Sequence, residues 1–310
     1  MSFIVTLPHE IFAALADPTR VKILLLVSDL QLAVGELAEL LDQSQPRVSR
    51  HVRILVEAGL LSRQKEGAFV FVGLAPAAVA ADVAALVARL AEGGNPIGRE
   101  RERLARVRAE RQKAVDDWFE ANAHEWDLLR RMGGQEAEVE ATLVAAATPA
   151  IGRLLDIGTG TGRLLELLAP QATSATGVDR SPEMLRLARA KLTGDGGQYA
   201  DLKQADMHHL PFEDGQFDTV TMQHVLHFAD DPGAVLREAA RVLAPKGRLL
   251  LVDYEAHGHE DLRARYRHVR LGFGDDQLAG LWRTAGLRAG RTTRHPGAEL
   301  AVFVAEGRKD

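Results

Sequence analysis

The chain has no cysteine in its 310 residues. Disulfides, thiolate metal centres and thiol redox chemistry are excluded together. An excess of positive charge is also lacking. The 38 Lys and Arg stand against 43 Asp and Glu, a net charge of −5, so any contact with nucleic acid must come from a local patch. Apolar runs are broken by charges well short of a membrane span. The opening MSFIVTLPHE lacks the basic-then-apolar order of a secretory signal. A cytoplasmic protein without membrane contact is expected. What remains is an ordinary globular composition, 46% hydrophobic, in a chain longer than one typical domain. Two domains are expected.

The first seventy-five residues read as short helices followed by a hairpin. HEIFAALADPTRVKILLLVS has helical spacing with a break at Asp17-Pro18, and Pro18 suits a first helical turn, where its missing N–H costs nothing. VGELAELLDQ is a third helix. Ser44 stands at an N-cap position, with Pro46 just inside a fourth helix that Gly59 ends. LLSRQKEGAFVFVGL then reads as two strands around a polar turn. Along the fourth helix Val48, Val52, Leu55 and Val56 form one apolar stripe, while Gln45, Arg47, Ser49, Arg50 and Arg53 point elsewhere. Arg and Gln can read guanine and adenine edges bidentately, and Ser can cap or touch a phosphate. Ser44 and His51 complete this candidate DNA-binding set, with Arg63 and Lys65 of the hairpin available to a neighbouring phosphate or minor groove. A polar-faced second helix after a short turn is the helix-turn-helix pattern.

LADPTRVKILLLV, ELAELL, SQPRVSRHVRILVEAGLL and the hairpin together resemble the winged-helix repressors of the ArsR type, over about the first ninety residues. The resemblance implies a homodimer joined through the first helix and the Ala-rich helix at Pro76–Leu90, with each fourth helix in a major groove of a double-stranded operator. Members that sense metals carry cysteines in the third helix, where this chain has ELAELL, so thiolate metal sensing is excluded. His9, His51 and the scattered acids show no ligand spacing, and no metal is expected.

EGGNP reads as a hinge, and from Gly98 to about Met132 the chain is helical and dense in Arg and Glu, a charge run read as a solvated face. From Ile151 strands and helices alternate, the mark of βαβ units on a parallel sheet. The tail, RAGRTTR and ELAVFVAEG around HPG, would close that sheet with an antiparallel edge. The expected fold class is therefore α/β with an α+β N-terminal domain. Its expected divisions are 1–92 for DNA binding and dimerisation, 93–117 as a helical linker, and 118–310 as a Rossmann-like domain.

In DIGTGTGRL the dinucleotide spacing G-x-G-x-x-G fails, since counting from Gly158 ends on Arg163 and counting from Gly160 ends on Leu165. Instead Asp156 precedes three alternate glycines, Gly158, Gly160 and Gly162, which would let backbone pass against a ligand. Asp179 ends the next strand, about 20 residues on, a spacing that suits ribose hydroxyls. Asp206 ends the third strand in QADMHHLPF. These residues resemble the class I S-adenosylmethionine-dependent methyltransferases, particularly the branch with quinone-biosynthesis enzymes, from roughly Val115 onward. The resemblance implies S-adenosylmethionine or S-adenosylhomocysteine as ligand. The glycine turn and Asp156 would approach its methionine part, Asp179 would chelate the ribose, and Asp206 with the Met207 N–H would read the adenine edge. Trp118, Phe119 and Trp126 sit where family members place a helix that lids the donor pocket; ordinary helix packing is the plainer role.

Methyl transfer from a sulfonium needs proximity and alignment more than a particular side chain. His224 and His227 straddle the end of FDTVTMQHVLHF, where an acceptor would sit, and are the only candidate catalytic residues; packing is the plainer role for both. Arsenic methylation needs thiols and is excluded. No NPPY-type motif follows the fourth strand, which argues against a nucleic-acid methyltransferase. Two functions stay open: a transcriptional regulator that senses an S-adenosyl ligand, and a small-molecule methyltransferase with an attached DNA-binding module.

Overall fold

A computed structural model describes residues 8–28, 31–66, 69–75, 78–91, 97–122, 135–148, 150–194, 197–198 and 200–310. Trp126 and Met132, the Pro76 start of the Ala-rich helix and the tip of the hairpin lie outside the described residues. The chain divides into two compact units, Met1–Gln112 and Lys113–Asp310. That division falls within the stretch expected to be a linker.

In the first unit α1 (Pro8–Leu15) and α2 (Pro18–Leu26) are separated at Asp17, whose carboxylate caps α2 by accepting from the N–H groups of Thr19 at 2.8 Å and Arg20 at 3.1 Å. Strand β1 (Leu32–Ala33) leads into α3 (Val34–Leu40), and α4 (Gln45–Glu57) follows. Ser44 is its N-cap residue by backbone conformation, with no bond from its side chain. Val48, Val52 and Leu55 are fully buried among Ile23, Leu24, Leu37 and Leu60, as the apolar stripe required. The hairpin β2 (Leu61–Glu66) and β3 (Phe69–Leu74) is joined by β1 in a sheet of order β1-β3-β2. Helix α5 (Ala78–Ala91) buries Ala80 and Ala84, while Val79, Leu86 and Leu90 stay exposed, as does Phe12 of α1. Helix α6 (Gly98–Asn122) places Leu104 in the core of this unit and ends in the next.

The second unit continues with α7 (Glu136–Ala147), β4 (Arg153–Ile157), α8 (Arg163–Leu168), β5 (Ser174–Asp179) and α9 (Pro182–Leu192). A two-residue pair, β6 (Thr193–Gly194) and β7 (Gly197–Gln198), precedes β8 (Asp201–Gln204), β9 (Phe217–Gln223) and α10 (Pro232–Val242). Then come β10 (Leu243–Tyr254), α11 (Asp261–Tyr266), α12 (Asp275–Thr284), β11 (Arg288–His295) and β12 (Val302–Arg308).

The seven-stranded sheet has the order β11-β12-β10-β9-β4-β5-β8, parallel from β10 to β8. Its other edge closes with the expected antiparallel pairing: β12, the last strand in the chain, is inserted between β10 and β11 and runs against both. Period-two alternation builds the two faces. Leu249 and Leu251 face the cluster that includes Leu236 of α10 and Trp282 of α12, while Leu250 and Val252 face the one that includes Leu143, Leu165 and Ala188. The chain leaves β4 toward β5 and β8, then crosses to β9 on its other side. That switch point lies at the carboxyl ends of β4 and β9, the usual place for a ligand in such sheets.

Candidate functional site

The turn after β4 is built from three glycines with left-handed backbone, Gly158 (φ 68°), Gly160 (φ 54°) and Gly162 (φ 83°). A Cβ on Gly158 would lie 2.3 Å from Val225 Cγ2, and one on Gly162 would lie 3.0 Å from Leu192 Cδ1. The missing side chains at these two positions therefore admit protein neighbours, a role the sequence reading gave to a ligand. The turn is tied to β5, because the Gly158 and Thr159 N–H groups both donate to the Val178 carbonyl at 2.8 and 2.9 Å.

Asp179 closes this arrangement. Its Oδ2 accepts the Gly160 N–H at 2.8 Å and its Oδ1 accepts the Ser181 N–H at 2.8 Å. A carboxylate offers about four acceptor positions, and the Arg180 N–H acts on this one besides the Ser181 and Gly160 N–H groups, so acceptor capacity remains for a further donor. An acceptor beside the glycine turn is what a ribose hydroxyl requires, and the residues present fit an S-adenosyl ligand on this ground. Burial pushes the Asp179 pKa up. Asp156 is buried at the end of β4 and accepts from the Thr221 hydroxyl at 2.7 Å, its register partner across to β9.

Asp206 lies two residues beyond β8. Its Oδ1 takes the His208 N–H and lies 2.9 Å from the His208 ring Nδ1, while its Oδ2 is 3.2 Å from Arg180 Nη1. The His208 bond, with Arg180 adding to it, holds this carboxyl well below the usual range. Met207 is half-buried against the core beneath it. Arg180 also reaches Asp116 Oδ2 of α6 at 3.2 Å, so one guanidinium spans the end of α6 and the turn that carries Asp206. Trp118 and Phe119 of α6 make edge contacts with Tyr266 and Phe228, at centroid distances of 6.0 and 4.9 Å.

The two candidate histidines behave differently. His224 has a left-handed backbone (φ 52°) and packs its ring 4.6 Å from Tyr254. His227 is 1% exposed, with its ring Nδ1 2.8 Å from Asp253 Oδ1 and its N–H donating to Asp253 Oδ2 at 3.2 Å. Asp253 is fully buried at the end of β10, burial raises its pKa to about 6, and it accepts the backbone N–H groups of His227 and Tyr254 as an ionised carboxylate does. A carboxylate only accepts, so the proton sits on His227 Nδ1. Burial pushes His227 down to about 3, so the ring is neutral and Nε2 carries a lone pair. Sequence reasoning missed Asp253, together with Tyr254, His257 and His268 around it. The signal was present: Asp253 ends LLLVDY as Asp156 ends RLLDIG, a fourth acid at the same edge of the sheet.

In the first unit Ser44, Gln45, Arg47, Ser49, Arg50 and Arg53 are exposed on α4, opposite its buried stripe. Arg63 and Lys65 are exposed on one face of the edge strand β2. His51 turns inward: it is half-buried, its Nδ1 lies 3.8 Å from Asp17 Oδ1, and burial lowers its pKa. Among the described residues no group of His, Asp or Glu is placed to hold a metal ion. No described helix is long and apolar enough to cross a membrane.

Residues 17–63 match the model of the bacterial regulatory proteins of the arsR family, and residues 155–251 match that of a methyltransferase domain. The N-terminal part is 49% identical over 77 residues to an arsenical resistance operon repressor of Escherichia coli, covering 24% of this chain and 64% of that protein. The C-terminal part is 37% identical over 145 residues to a ubiquinone/menaquinone biosynthesis C-methyltransferase of Desulfotalea psychrophila, covering 45% and 57%. It is also 37% identical over 141 residues to a demethylmenaquinone methyltransferase of Thermus thermophilus, covering 44% and 64%. The matches thus span less than two thirds of each of these relatives. A SAM-dependent methyltransferase of Aquifex aeolicus superposes with a TM-score of 0.50 at 20% identity, covering 61% of this chain and 98% of that one, a likeness of fold. A Haloferax volcanii chain solved in a complex with the Trm112 methyltransferase activator gives 0.51 at 23%, covering 61% and 96%.

Proposed function

We propose, from the premise that one chain carries an ArsR-family helix-turn-helix segment at 17–63 and a class I methyltransferase domain at 155–251, that the protein is a DNA-binding transcriptional regulator whose effector is an S-adenosyl ligand. The observation that carries this reading is that both halves of such a device are intact. The polar face of α4 is exposed, and Asp179 stands beside the glycine turn with acceptor capacity left for a ligand hydroxyl. The regulator acts as a homodimer in the cytoplasm, joined through the exposed apolar residues of α1 and α5, Phe12, Val79, Leu86 and Leu90. Gln45, Arg47, Ser49, Arg50 and Arg53 contact the operator, with Ser44 at the near end of the helix and Arg63 and Lys65 on the flanking phosphates, while the inward-turned His51 supports the helix from behind.

Asp179 takes the ribose hydroxyls, and the Gly158–Gly162 turn with Asp156 faces the methionine part. Asp206 and the Met207 N–H read the adenine edge. S-adenosylmethionine and S-adenosylhomocysteine differ by a methyl group and one positive charge, so nearby carboxylates and aromatic faces can tell them apart. The test is calorimetric titration of the purified protein with each compound. One saturable site per chain, weakened about ten- to a hundredfold in Asp179→Ala, is expected; binding of neither compound refutes the reading.

A second reading, an active small-molecule methyltransferase with an attached DNA-binding module, is favoured by the His227–Asp253 pair, which holds a neutral imidazole able to accept a hydrogen bond from an acceptor's hydroxyl. Transfer of methyl to a defined acceptor would establish it.

A further inference from the structure

Alone of the polar residues expected on the DNA-facing side of α4, His51 turns inward. Its side chain is 12% exposed, and its Nδ1 is buried and bonds to no described residue. Leaving such an atom unsatisfied costs about 1–3 kcal/mol, and native structures rarely tolerate it without a reason. The atom lies 3.8 Å from Asp17 Oδ1, beyond hydrogen-bond reach but within that of an ion pair. Asp17 is fixed there by a separate duty, since the same oxygen takes the Thr19 and Arg20 N–H groups at 2.8 and 3.1 Å as the cap of α2. Burial works against its charge, but those bonds and the positive charge nearby hold the Asp17 carboxyl below its usual range. Behind the DNA-facing helix, then, an unsatisfied ring nitrogen is turned to an ionised carboxylate. A proton on that nitrogen would make the contact a charged pair.

Three guanidiniums oppose that proton. Burial is the main cause that lowers the His51 pKa, Asp17 pulls the other way, and Arg20, Arg47 and Arg50 add to the burial. Arg20, on α2, is engaged by the Ala13 and Ala14 carbonyls at the end of α1. Arg47 and Arg50 are exposed on the outer face of α4. Of the other elements packed on α4, α3 turns Glu36 back to the Ala33 N–H, and β2 carries Arg63 and Lys65 exposed. Two of the three opposing charges are thus on the face read as meeting the operator. A phosphate beside either one offsets its charge and attracts a nearby proton on its own account. DNA docking and protonation of His51 then favour each other, and linkage makes the effect reciprocal.

We propose that operator binding by this chain takes up a proton at His51, so that the protein holds DNA more tightly as the pH falls. The proton comes from solvent, and the charged ring carries one on Nδ1 facing the Asp17 carboxylate. The bound state keeps this proton to a higher pH than the free state. Affinity therefore rises as pH drops through the interval between the two, around the ordinary histidine value of about 6.5. This device rests on α4 as the DNA-contacting helix and does not involve the S-adenosyl site.

The test is the affinity of the full-length protein, at fixed salt, for a duplex it selects from a random pool. Between about pH 8 and about pH 6 a rise of about threefold is expected if docking moves the His51 pKa by about one unit. Calorimetry in two buffers of different ionisation heat should find net proton uptake on binding. Asp17→Asn is expected to flatten the profile while the cap of α2 survives, since Asn caps a helix as well as Asp does. His51→Gln should flatten it too. The ring resonances of His51 in the wild-type protein need no variant to fold: their titration midpoint should move up when the duplex is added. In the free protein, Arg47→Gln combined with Arg50→Gln should raise that midpoint as well. Affinity independent of pH, a profile that survives both Asp17→Asn and His51→Gln, or a His51 midpoint that the duplex leaves in place overturns the proposal. Failure to bind any duplex at any pH would overturn the DNA-binding reading itself, and this device with it.

Discussion

Asp179 is the buried acid on which the proposed ligand site rests. Hydrogen bonds to a charged group contribute about 1.5–3 kcal/mol, so Asp179→Ala is expected to weaken S-adenosylhomocysteine binding by about ten- to a hundredfold while leaving ligand-free operator binding unchanged. Equal loss of both would contradict the two-site account. Because burial raises the Asp179 pKa, its carboxylate takes up a proton at a higher pH than an exposed one, and the protonated form loses an acceptor. Wild-type ligand affinity is therefore expected to fall as pH drops toward that raised pKa. The fall begins above the ordinary carboxylate range, and Asp179→Ala should lack it. At Gly158, both the positive φ and the 2.3 Å approach of Val225 oppose a side chain. Gly158→Ala is expected to cost about 2–4 kcal/mol in denaturant unfolding, combining overpacking with left-handed strain. Adding Val225→Ala should relieve only the packing share; full recovery would deny the strain. The acids of this site were legible because they end strands in a countable order. The partner of His227 was not, since a bond between β10 and the turn after β9 leaves no local spacing.

At the scale of elements, the fourth helix could be read almost residue by residue, because an apolar stripe at helical period specifies the opposite face as well. Strand β1 could not: two residues carry no period, and Leu32–Ala33 becomes a strand only by pairing with Phe71 and Val72. The strand order was equally hidden, since β12 reaches its place beside β10 by long-range pairing. On α4, Arg50→Ala is expected to weaken operator binding without changing S-adenosyl affinity. If Arg50 meets a phosphate, the slope of log affinity against log salt should fall by about one; an unchanged operator affinity removes it from the interface. Helix α6 carries the prediction that concerns coupling. Its Asp116 is bridged through Arg180 to Asp206, and such an exposed pair contributes little to stability, about 0–1 kcal/mol. Asp116→Asn should therefore leave the melting temperature and ligand affinity nearly unchanged while reducing the effect of ligand on DNA binding. Coupling of wild-type strength in that variant would rule this bridge out.

For the whole molecule, the lack of cysteine separates this chain from repressors that sense metals through thiolates. What takes the place of the metal in this account is a ligand bound by another domain of the same chain. Such a ligand can regulate only through differential affinity for two states, and a near-complete switch needs about a 10⁴-fold preference. Linkage is reciprocal, so operator DNA must change ligand affinity by the same factor. The most direct measurement is the affinity of the purified protein for a duplex it selects from a random pool. It is taken at one salt concentration with no ligand, with S-adenosylmethionine and with S-adenosylhomocysteine. A change of about tenfold or more, worth about 1.4 kcal/mol, with at least one of the two compounds is the predicted result. Identical DNA affinity in all three conditions, with ligand binding confirmed in the same samples, would contradict the account.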